Sequence, residues 1–153
     1  MSRSNGIVLA AEGPDTPEIQ ALLAERDAHF DQLYTAEDRK PGKIDLGRRD
    51  LLFYTARVRG QLAGCGALIV HGAYGELKRF YLRPQFRGLG LGRRLVETLE
   101  AEARARGCQT LRLETGVLQP EAVGLYRSAG FEDGECFGEH LPNPLSIYLK
   151  KDL

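Results

Sequence analysis

A short glycine-rich segment constrains this chain more than any other part of its sequence. Gly88, Gly90 and Gly92 alternate with other residues directly before an amphipathic helical pattern. Glycine adopts positive φ angles readily, and without a Cβ it lets a ligand approach the main chain closely. The first N–H groups of the following helix have no partner within the helix and lie at the positive end of its dipole. This combination predicts a binding site for phosphate groups rather than a simple turn.

Two common phosphate-binding motifs do not fit the segment. The dinucleotide fingerprint G-x-G-x-x-G fails because Arg93 and Leu95 occupy the positions where its third glycine would stand. The chain also contains no G-x-x-x-x-G-K-[ST] sequence, which excludes a P-loop. A polyanionic ligand is still favoured, because residues 78–94 carry no acidic side chain and six basic ones: Lys78, Arg79, Arg83, Arg87, Arg93 and Arg94.

The composition is that of an ordinary globular domain. The chain has 153 residues, of which 42% are hydrophobic and 27% are charged, and we expect a single domain over residues 1–153. Its 21 basic and 21 acidic residues cancel, which argues against a nucleic-acid partner. No apolar run approaches the ~18 residues that cross a membrane. Cys65, Cys108 and Cys136 form no CxxC pair, so we expect reduced thiols, a cytoplasmic location and no membrane partner.

Hydrophobic periodicity predicts a mixed α/β fold. Runs with strand-like alternation and runs with helical spacing follow one another, and turn residues such as Gly107 separate them. We expect strands over residues 7–11, 51–58, 62–70, 76–82, 110–114 and 145–149, and helices that start near residues 18, 91 and 120. Residues 35–50 are predicted to form a loop or a short irregular helix. This order predicts antiparallel strands first and a crossover helix later.

Four segments resemble the acyl-CoA-binding core of the GNAT acetyltransferase superfamily. The first is the motif R-x-x-G-x-G, at residues 87–92. Gly75–Leu82 resembles the family's fourth strand and Leu111–Thr115 its fifth, while residues 122–131 match the helix A-x-x-L-Y-x-x-x-G-F. Such motifs in the correct order are far more specific than one alone. The resemblance implies a mixed, mostly antiparallel central sheet, flanked by helices on both faces and split between strands 4 and 5.

The resemblance also implies acetyl-CoA as the acyl donor. Its pantetheine arm would pair with the open edge of the fourth strand like a short added strand. Its pyrophosphate would lie on N–H groups of the glycine-rich segment, helped by the charge of Arg87 or Arg93. Many relatives have an asparagine three residues before the alanine that matches Ala122, and here Gln119 takes that place. The expected cofactor-binding residues are Phe80, Tyr81, Leu82, Arg87, Gly88, Leu89, Gly90, Leu91, Gly92, Arg93 and Gln119.

The catalytic roles are likewise implied by the resemblance. The main-chain N–H of Leu82 would stabilise the oxyanion, and Tyr126 matches the family's tyrosine acid near the thioester sulfur. An amine must also lose a proton, for which Glu76 is the candidate base and Glu114 the competitor. Each residue also has a purely structural interpretation. Tyr126 would be a core tyrosine with a hydrogen-bonded hydroxyl, and Glu76 or Glu114 would be a solvated carboxylate at a strand end.

Histidines and cysteines are weaker candidates for chemistry. His71 and His140 fall in predicted turns, where we expect exposed side chains. No His, Cys, Asp or Glu cluster has the spacing of metal ligands, so we expect no metal. The cysteines have no obvious basic partner, which disfavours a covalent acyl-cysteine.

Together these features predict an N-acetyltransferase that transfers an acetyl group from acetyl-CoA to a primary amine of a small-molecule or amino-acid-like acceptor, by direct attack in a ternary complex. The alternatives are a protein or peptide N-acetyltransferase and a non-catalytic acyl-CoA-binding module. Such domains often pair, so a homodimer is also expected. Residues 1–38 carry eight acidic and two basic side chains. The resemblance places residues 15–50, which include most of these acids, on the acceptor side, and this favours cationic or zwitterionic amines.

Overall fold

The fold is built around a seven-stranded sheet with helices on both faces. The structure is a computed structural model, and it describes residues 6–35, 46–138, 140 and 142–153. The strands are β1 (Ile7–Ala11), β2 (Leu51–Val58), β3 (Gln61–Val70), β4 (Tyr74–Leu82), β5 (Thr110–Gly116), β6 (Glu132–Asp133) and β7 (Ser146–Asp152). The helices are α1 (Pro17–Leu33), α2 (Leu91–Ala105) and α3 (Pro120–Ser128), and Pro84–Phe86 form a short 3₁₀ turn.

The strand order in the sheet is β1-β2-β3-β4-β5-β7-β6. The first four strands pair antiparallel with one another, whereas β4 and β5 are parallel and are joined by the crossover helix α2. β7 then pairs antiparallel with β5 on one side and with β6 on the other. The mixed α/β order predicted from the sequence is confirmed.

The parallel strands β4 and β5 pair over only part of their lengths. The last pair is Leu77 with Leu113, although both strands continue beyond it. A β-bulge lies directly after this pair, and Arg79 at the bulge has a φ of 59°. Because a bulge bends its strand and increases its twist, the end of β4 diverges from β5. The split that the resemblance implied between the fourth and fifth strands is therefore confirmed.

The helices cover opposite faces of the sheet. Leu95, Leu99 and Ala103 lie on one side of α2 and are fully buried against the sheet. On the other face, α1 packs through Ile19 and Leu22, which are both 0% exposed. Because α1 and α2 cover the two faces of the sheet at its centre, the main chain of β4 is accessible to a ligand where β4 and β5 diverge.

Two glycines of β3 make room for the end of β4. A Cβ on Gly64 would lie 2.6 Å from the carbonyl oxygen of Tyr81, and one on Gly66 would lie 2.8 Å from the Phe80 ring. Any larger residue at either position would therefore push the end of β4 outward. The two glycines therefore set the position of Phe80 and Leu82 at the split.

The predicted element boundaries agree closely with the structure. The first helix begins at Pro17, and the Thr16 side chain caps it by accepting a hydrogen bond from the N–H of Ile19 at 3.3 Å. The last strand starts at Ser146 and continues to Asp152, beyond its predicted end. Residues 36–45 of the predicted loop lie outside the described residues. No helix in the described part of the chain is long and apolar enough to cross a membrane.

Candidate active site

The three glycines before α2 serve different purposes. Gly88 and Gly90 have φ angles of 83° and 75°, in the left-handed region that other residues rarely adopt. A Cβ at either position would meet no atom within 4 Å, so open space faces both of them. Gly92 instead allows close packing, because its Cβ would lie 2.8 Å from the Leu125 side chain on α3. Two of the glycines thus shape an open turn, and the third brings α3 against α2.

A cavity of about 480 Å³ opens between the end of β4, this turn, α3 and the last turns of α1. The lining residues that the sequence predicted are Phe80, Tyr81, Leu82, Arg87, Gly88, Gly90, Leu91, Gly92, Arg93, Gln119 and Tyr126. Two other predicted site residues are absent from its lining: Leu89, whose side chain is exposed, and Glu76, which lies near the start of β4. The structure thus brings the predicted binding residues other than Leu89 to one cavity and leaves the predicted base outside it.

The end of β4 presents main-chain groups to the split. The N–H of Arg83 donates to the carbonyl of Ala63 on β3 at 2.8 Å. Main-chain groups alternate between the two sides of a strand, so the N–H of Leu82 points away from β3, toward the side from which β5 has diverged. An extended ligand in the cavity can pair with this free edge.

The basic side chains of residues 78–94 do not all lie at the cavity. Arg87 and Arg93 line the cavity; Arg87 contacts Glu121 on α3 at 3.3 Å, and Arg93 contacts Glu97 at 3.6 Å. Both pairs are exposed and therefore weak, so these guanidinium groups remain able to pair with an anion. By contrast, Arg83 donates to both carboxylate oxygens of Glu25 and to a main-chain carbonyl. Only part of the basic segment therefore faces the cavity.

Tyr126 lies in the wall of the cavity on α3. It is 6% exposed, and its ring packs edge-on against Phe80, with centroids 6.0 Å apart, and against Phe131, at 5.9 Å. Burial raises the pKa of the hydroxyl well above its usual value. No hydrogen bond from another described residue acts on this hydroxyl. Tyr126 therefore retains its proton and can donate it in a hydrogen bond to a ligand in the cavity.

Gln119 is oriented by the turn between β5 and α3. Its Oε1 accepts hydrogen bonds from the N–H of Gly116 at 3.0 Å and from the Thr115 hydroxyl at 3.2 Å. Since a main-chain N–H can only donate, the oxygen must face the turn, which leaves the NH₂ group to donate elsewhere. The Tyr34 hydroxyl at the end of α1 accepts from the N–H of Leu118 at 3.2 Å and holds the same turn.

A second cluster of polar side chains lies at the point where β4 and β5 separate. His140 bridges the two strands: its Nε2 lies 2.8 Å from an oxygen of Glu76 on β4, and its Nδ1 lies 3.2 Å from an oxygen of Glu114 on β5. Glu76 also contacts His71 at 2.9 Å and Lys78 at 3.4 Å. The expectation of a simply exposed side chain is wrong for His140, whose ring is held between the two carboxylates. His71 is exposed as expected, although its ring contacts Glu76.

The cluster shifts the proton affinities of its members strongly. Burial alone would raise the pKa of the Glu76 carboxyl, but the hydrogen bond from His140, the charge of Lys78 and the contact with His71 outweigh it and hold the pKa at about 2. The hydrogen bonds with Glu114 and Glu76 raise the pKa of His140 to about 9, against the effect of burial. At neutral pH the cluster is therefore two carboxylates joined by a protonated histidine.

Several residues of the site were not predicted from the sequence. His29, Phe30 and Leu33 of α1 line the cavity, whereas the helical spacing of Phe30 and Leu33 suggested core positions. His140 was dismissed because it lies in a turn. A usable signal existed: Glu76 and Glu114 fall on one face of neighbouring parallel strands, and two carboxylates that lie close together repel each other unless a cation lies between them.

A split sheet with a free strand edge beside an open glycine turn can accept an acyl-CoA thioester, the donor that acyltransferases use. The chain belongs to the Acetyltransferase (GNAT) family, which matches residues 17–131. It is 41% identical over 150 residues to a protein named IAA acetyltransferase from Azospirillum brasilense, covering 96% of this chain and 98% of that one. Over 107 residues it is 32% identical to an uncharacterized N-acetyltransferase, YsnE, of Bacillus subtilis, covering 68% and 71% of the two chains.

Solved structures show the same fold. A putative acyl-CoA N-acyltransferase from Klebsiella pneumoniae superposes with a TM-score of 0.82 at 34% identity, covering 97% of this chain and 99% of that one. A GNAT family acetyltransferase from Elizabethkingia anophelis, solved with acetyl-CoA bound, has a TM-score of 0.69 at 17% identity and covers 97% and 99% of the two chains, which shows the fold alone. The protein is accordingly an acyltransferase whose acyl donor is acetyl-CoA.

The histidine bridge predicts how stability depends on pH. The folded pKa of His140 is raised from 6.5 to about 9, so its stabilising contribution is complete below about pH 6 and is lost as the pH rises through 9. The folded pKa of Glu76 is lowered from 4.5 to about 2, so its contribution is present above about pH 5 and is lost as the pH falls through 2. Urea unfolding of the wild type at pH 6 and pH 10 should show a loss of roughly 3 kcal/mol at the higher pH.

His140→Gln provides the comparison, since it removes the titrating group. We expect the difference in unfolding free energy between wild type and variant to shrink between pH 6 and pH 10. An equal difference at both values would contradict the bridge.

Proposed function

We propose that this protein transfers an acetyl group from acetyl-CoA to a primary amine of a small-molecule or amino-acid-like acceptor, by direct attack in a ternary complex within one domain. The observation that carries the proposal is the single cavity that joins a free strand edge, an open glycine turn and the Tyr126 hydroxyl. A structural turn would explain the glycines alone. It would not explain a buried tyrosine without a hydrogen bond from the described chain, beside an unpaired stretch of β4.

The residues at the cavity fit acetyl-CoA. The open space at Gly88 and Gly90 leaves their main chain accessible to phosphate, and Arg87 and Arg93 add positive charge. The free edge of β4 at Phe80–Leu82 suits an arm that carries amides, and the NH₂ group of Gln119 is positioned to donate. Gln119 thus replaces the expected asparagine with its donor still available.

When bound, acetyl-CoA supplies a thioester whose acetyl group moves to the amine and whose sulfur leaves as a thiol. The N–H of Leu82 donates to the side where β5 is absent, in a position suited to a carbonyl oxygen. Tyr126 donates through its hydroxyl. Because burial raises its pKa while that of a thiol is ~8.5, full proton transfer from Tyr126 is unfavourable. Its contribution is a hydrogen bond to the leaving sulfur.

The small-molecule acceptor is supported by the relatives rather than by the cavity. The relative that spans almost this whole chain is named an IAA acetyltransferase, and a shorter match is an aminoglycoside N(6')-acetyltransferase of Stenotrophomonas maltophilia, at 36% identity over 61 residues. A likeness to a ribosomal-protein-S18-alanine N-acetyltransferase of Escherichia coli, at 23% identity, shows the fold alone. A protein or peptide acceptor therefore stands as the alternative.

The preference for cationic acceptors has less support than the sequence suggested. Acidic side chains of the first segment are engaged by arginines: Glu12 and Glu18 by Arg57, and Glu25 by Arg83. These pairs cancel much of the negative charge that the sequence shows, so the acidic entrance stays a prediction.

The remaining expectations also stay predictions: a cytoplasmic location, no nucleic-acid or membrane partner, and a homodimer. The described cysteines are all free thiols, as expected for a reducing compartment.

Replacing Gly90 tests the phosphate site with a matched control. Gly90 and Gly107 have φ angles of 75° and 86°, and a Cβ at either would meet nothing within 4 Å, so alanine costs similar backbone strain at both. We expect both variants to melt somewhat lower than the wild type. Saturating acetyl-CoA should raise the melting temperature of Gly107→Ala as in the wild type and raise that of Gly90→Ala much less. Equal shifts in the two variants would remove the glycine turn from the binding site.

Tyr126→Phe tests the chemistry, with Tyr54→Phe as the control. Tyr54 donates its hydroxyl to Glu102 and does not line the cavity. Release of CoA is measured with a panel of small amines and amine-terminated peptides. With the best acceptor we expect Tyr126→Phe to lower kcat roughly ten- to a thousand-fold at unchanged acetyl-CoA affinity, and Tyr54→Phe to leave kcat near that of the wild type. An unchanged kcat in Tyr126→Phe would assign the hydroxyl to packing alone.

A further inference from the structure

His140, Glu76 and Glu114, which we call the His140 cluster, lie where β4 and β5 stop pairing. Leu77 and Leu113 form the last pair of β4 with β5, and Glu114 is the next residue of β5. The side chains of Leu77 and Leu113 enter the core under α2. Because side chains alternate along a strand, Glu76 and Glu114 project from the opposite face. The cluster therefore lies on the α1 side of the sheet, at the narrow end of the split.

The three bridged side chains differ in how far a ligand can reach them. The side chain of Glu76 is 7% exposed, that of His140 is 18% exposed and that of Glu114 is 34% exposed. The oxygens of both carboxylates have partners: Glu76 contacts His71, Lys78 and His140, and Glu114 contacts His140 and accepts from the Ser146 and Tyr148 hydroxyls. The difference in exposure makes Glu76 the inner member and Glu114 the outer one. An amine that approaches the split from the α1 side meets Glu114 first.

We propose that Glu114 is the carboxylate that contacts the acceptor's ammonium group and that His140, bridged to it, is a positioning residue that holds the proton the ammonium gives up. This inference rests on the proposed N-acetyltransferase function. It resolves the choice between Glu76 and Glu114 in favour of Glu114 and gives Glu76 the role of anchoring His140. The step moves one proton and needs no other reactant.

The proton can be followed atom by atom. In the proposed step the neutral ring of His140 has its hydrogen on Nε2, which lies 2.8 Å from Glu76, and Nδ1 turns a lone pair toward Glu114 at 3.2 Å. The N–H bond of the ammonium breaks as its proton passes to Glu114. The Glu114 carboxyl then gives a proton to Nδ1, which leaves a neutral amine, a carboxylate and an imidazolium bonded at both nitrogens.

The charges around His140 support this role. A carboxylate alone is a poor proton acceptor for an amine whose pKa lies between ~8 and ~10.4. The two flanking carboxylates raise the pKa of His140 to about 9, within that range, so the transfer is nearly balanced in free energy. The titratable or charged groups at this cluster are His71 on the turn before β4, Glu76 and Lys78 on β4, Arg112 and Glu114 on β5, Cys136 before His140 and Tyr148 on β7.

The pH dependence of kcat tests the inference. We compare two accepted amines from the panel, an α-amine with a pKa near ~8 and an alkylamine near ~10.4. For the alkylamine, kcat of the wild type should rise with an apparent pKa near 9, because His140 loses its proton before that amine does and can then accept the proton of the bound ammonium. For the α-amine the rise should lie near ~8, because that amine ionises first. A rise only near ~10.4 with the alkylamine would overturn the proposal.

Substitutions test which side chains produce the pH dependence of kcat. His140→Gln and Glu114→Gln should each lower kcat about a hundredfold and remove the rise near pH 9. Glu76→Gln should keep the rise but move it to lower pH by roughly one unit, because one of the two carboxylates that raise the His140 pKa is gone. Asp133→Asn, which alters an exposed carboxylate paired with Arg127, is the control and should behave as the wild type.

The pKa of His140 can also be measured directly in the free protein, without acetyl-CoA. Side-chain NMR titration of His140 in the free protein should give a pKa near 9 that falls in Glu76→Gln and in Glu114→Gln, provided that melting curves show both variants to be folded. A His140 pKa near 6.5 in the wild type would overturn the bridge itself.

If acetyl-CoA binds but no amine of the panel is acetylated, the proposed function fails and this inference with it. Acetylation with an unaltered kcat profile in His140→Gln would overturn this inference alone.

Discussion

The divergence of β4 from β5 after the Leu77–Leu113 pair is the feature on which the rest of this structure depends. Unpaired main-chain groups inside a protein are costly, and a sheet normally removes them by continuing its ladder. Here the bulge at Arg79 turns β4 away, and α1, α3 and the glycine turn surround the gap instead of closing it. The free edge of β4 thus has a cavity beside it, and an extended ligand with amide groups completes the hydrogen bonding that β5 does not supply.

Much of this arrangement could be predicted from the sequence. Period-two and helical spacing located the strands and helices, and the alternating glycines predicted the open turn that lines the cavity. The phosphate that we expect there stays a prediction. Predictions failed where a residue's role depends on partners that are distant in the chain. Arg83 and Arg87 look equivalent in the sequence, yet Arg83 pairs with Glu25 on α1 while Arg87 lines the cavity. His140 lies in a segment without periodicity, so only the folded chain shows it between Glu76 and Glu114.

The same electrostatic cluster links stability to chemistry. Glu76 and Glu114 are brought close by the parallel pairing of β4 and β5, and two carboxylates in that position repel unless a cation lies between them. His140 supplies the cation and ties the two strands at the point where they separate. Because its proton affinity is set by those carboxylates, the group that stabilises the narrow end of the split also titrates in the range where amines do.

Amide hydrogen exchange, with and without saturating acetyl-CoA, tests most directly whether the divergent end of β4 and the glycine turn form the acyl-donor site. The account predicts that acetyl-CoA slows exchange of amides in residues 80–82 and 88–93 and leaves residues 110–113 unchanged, since these already pair with β4 and β7. Unchanged exchange in both 80–82 and 88–93, with acetyl-CoA bound, would contradict it.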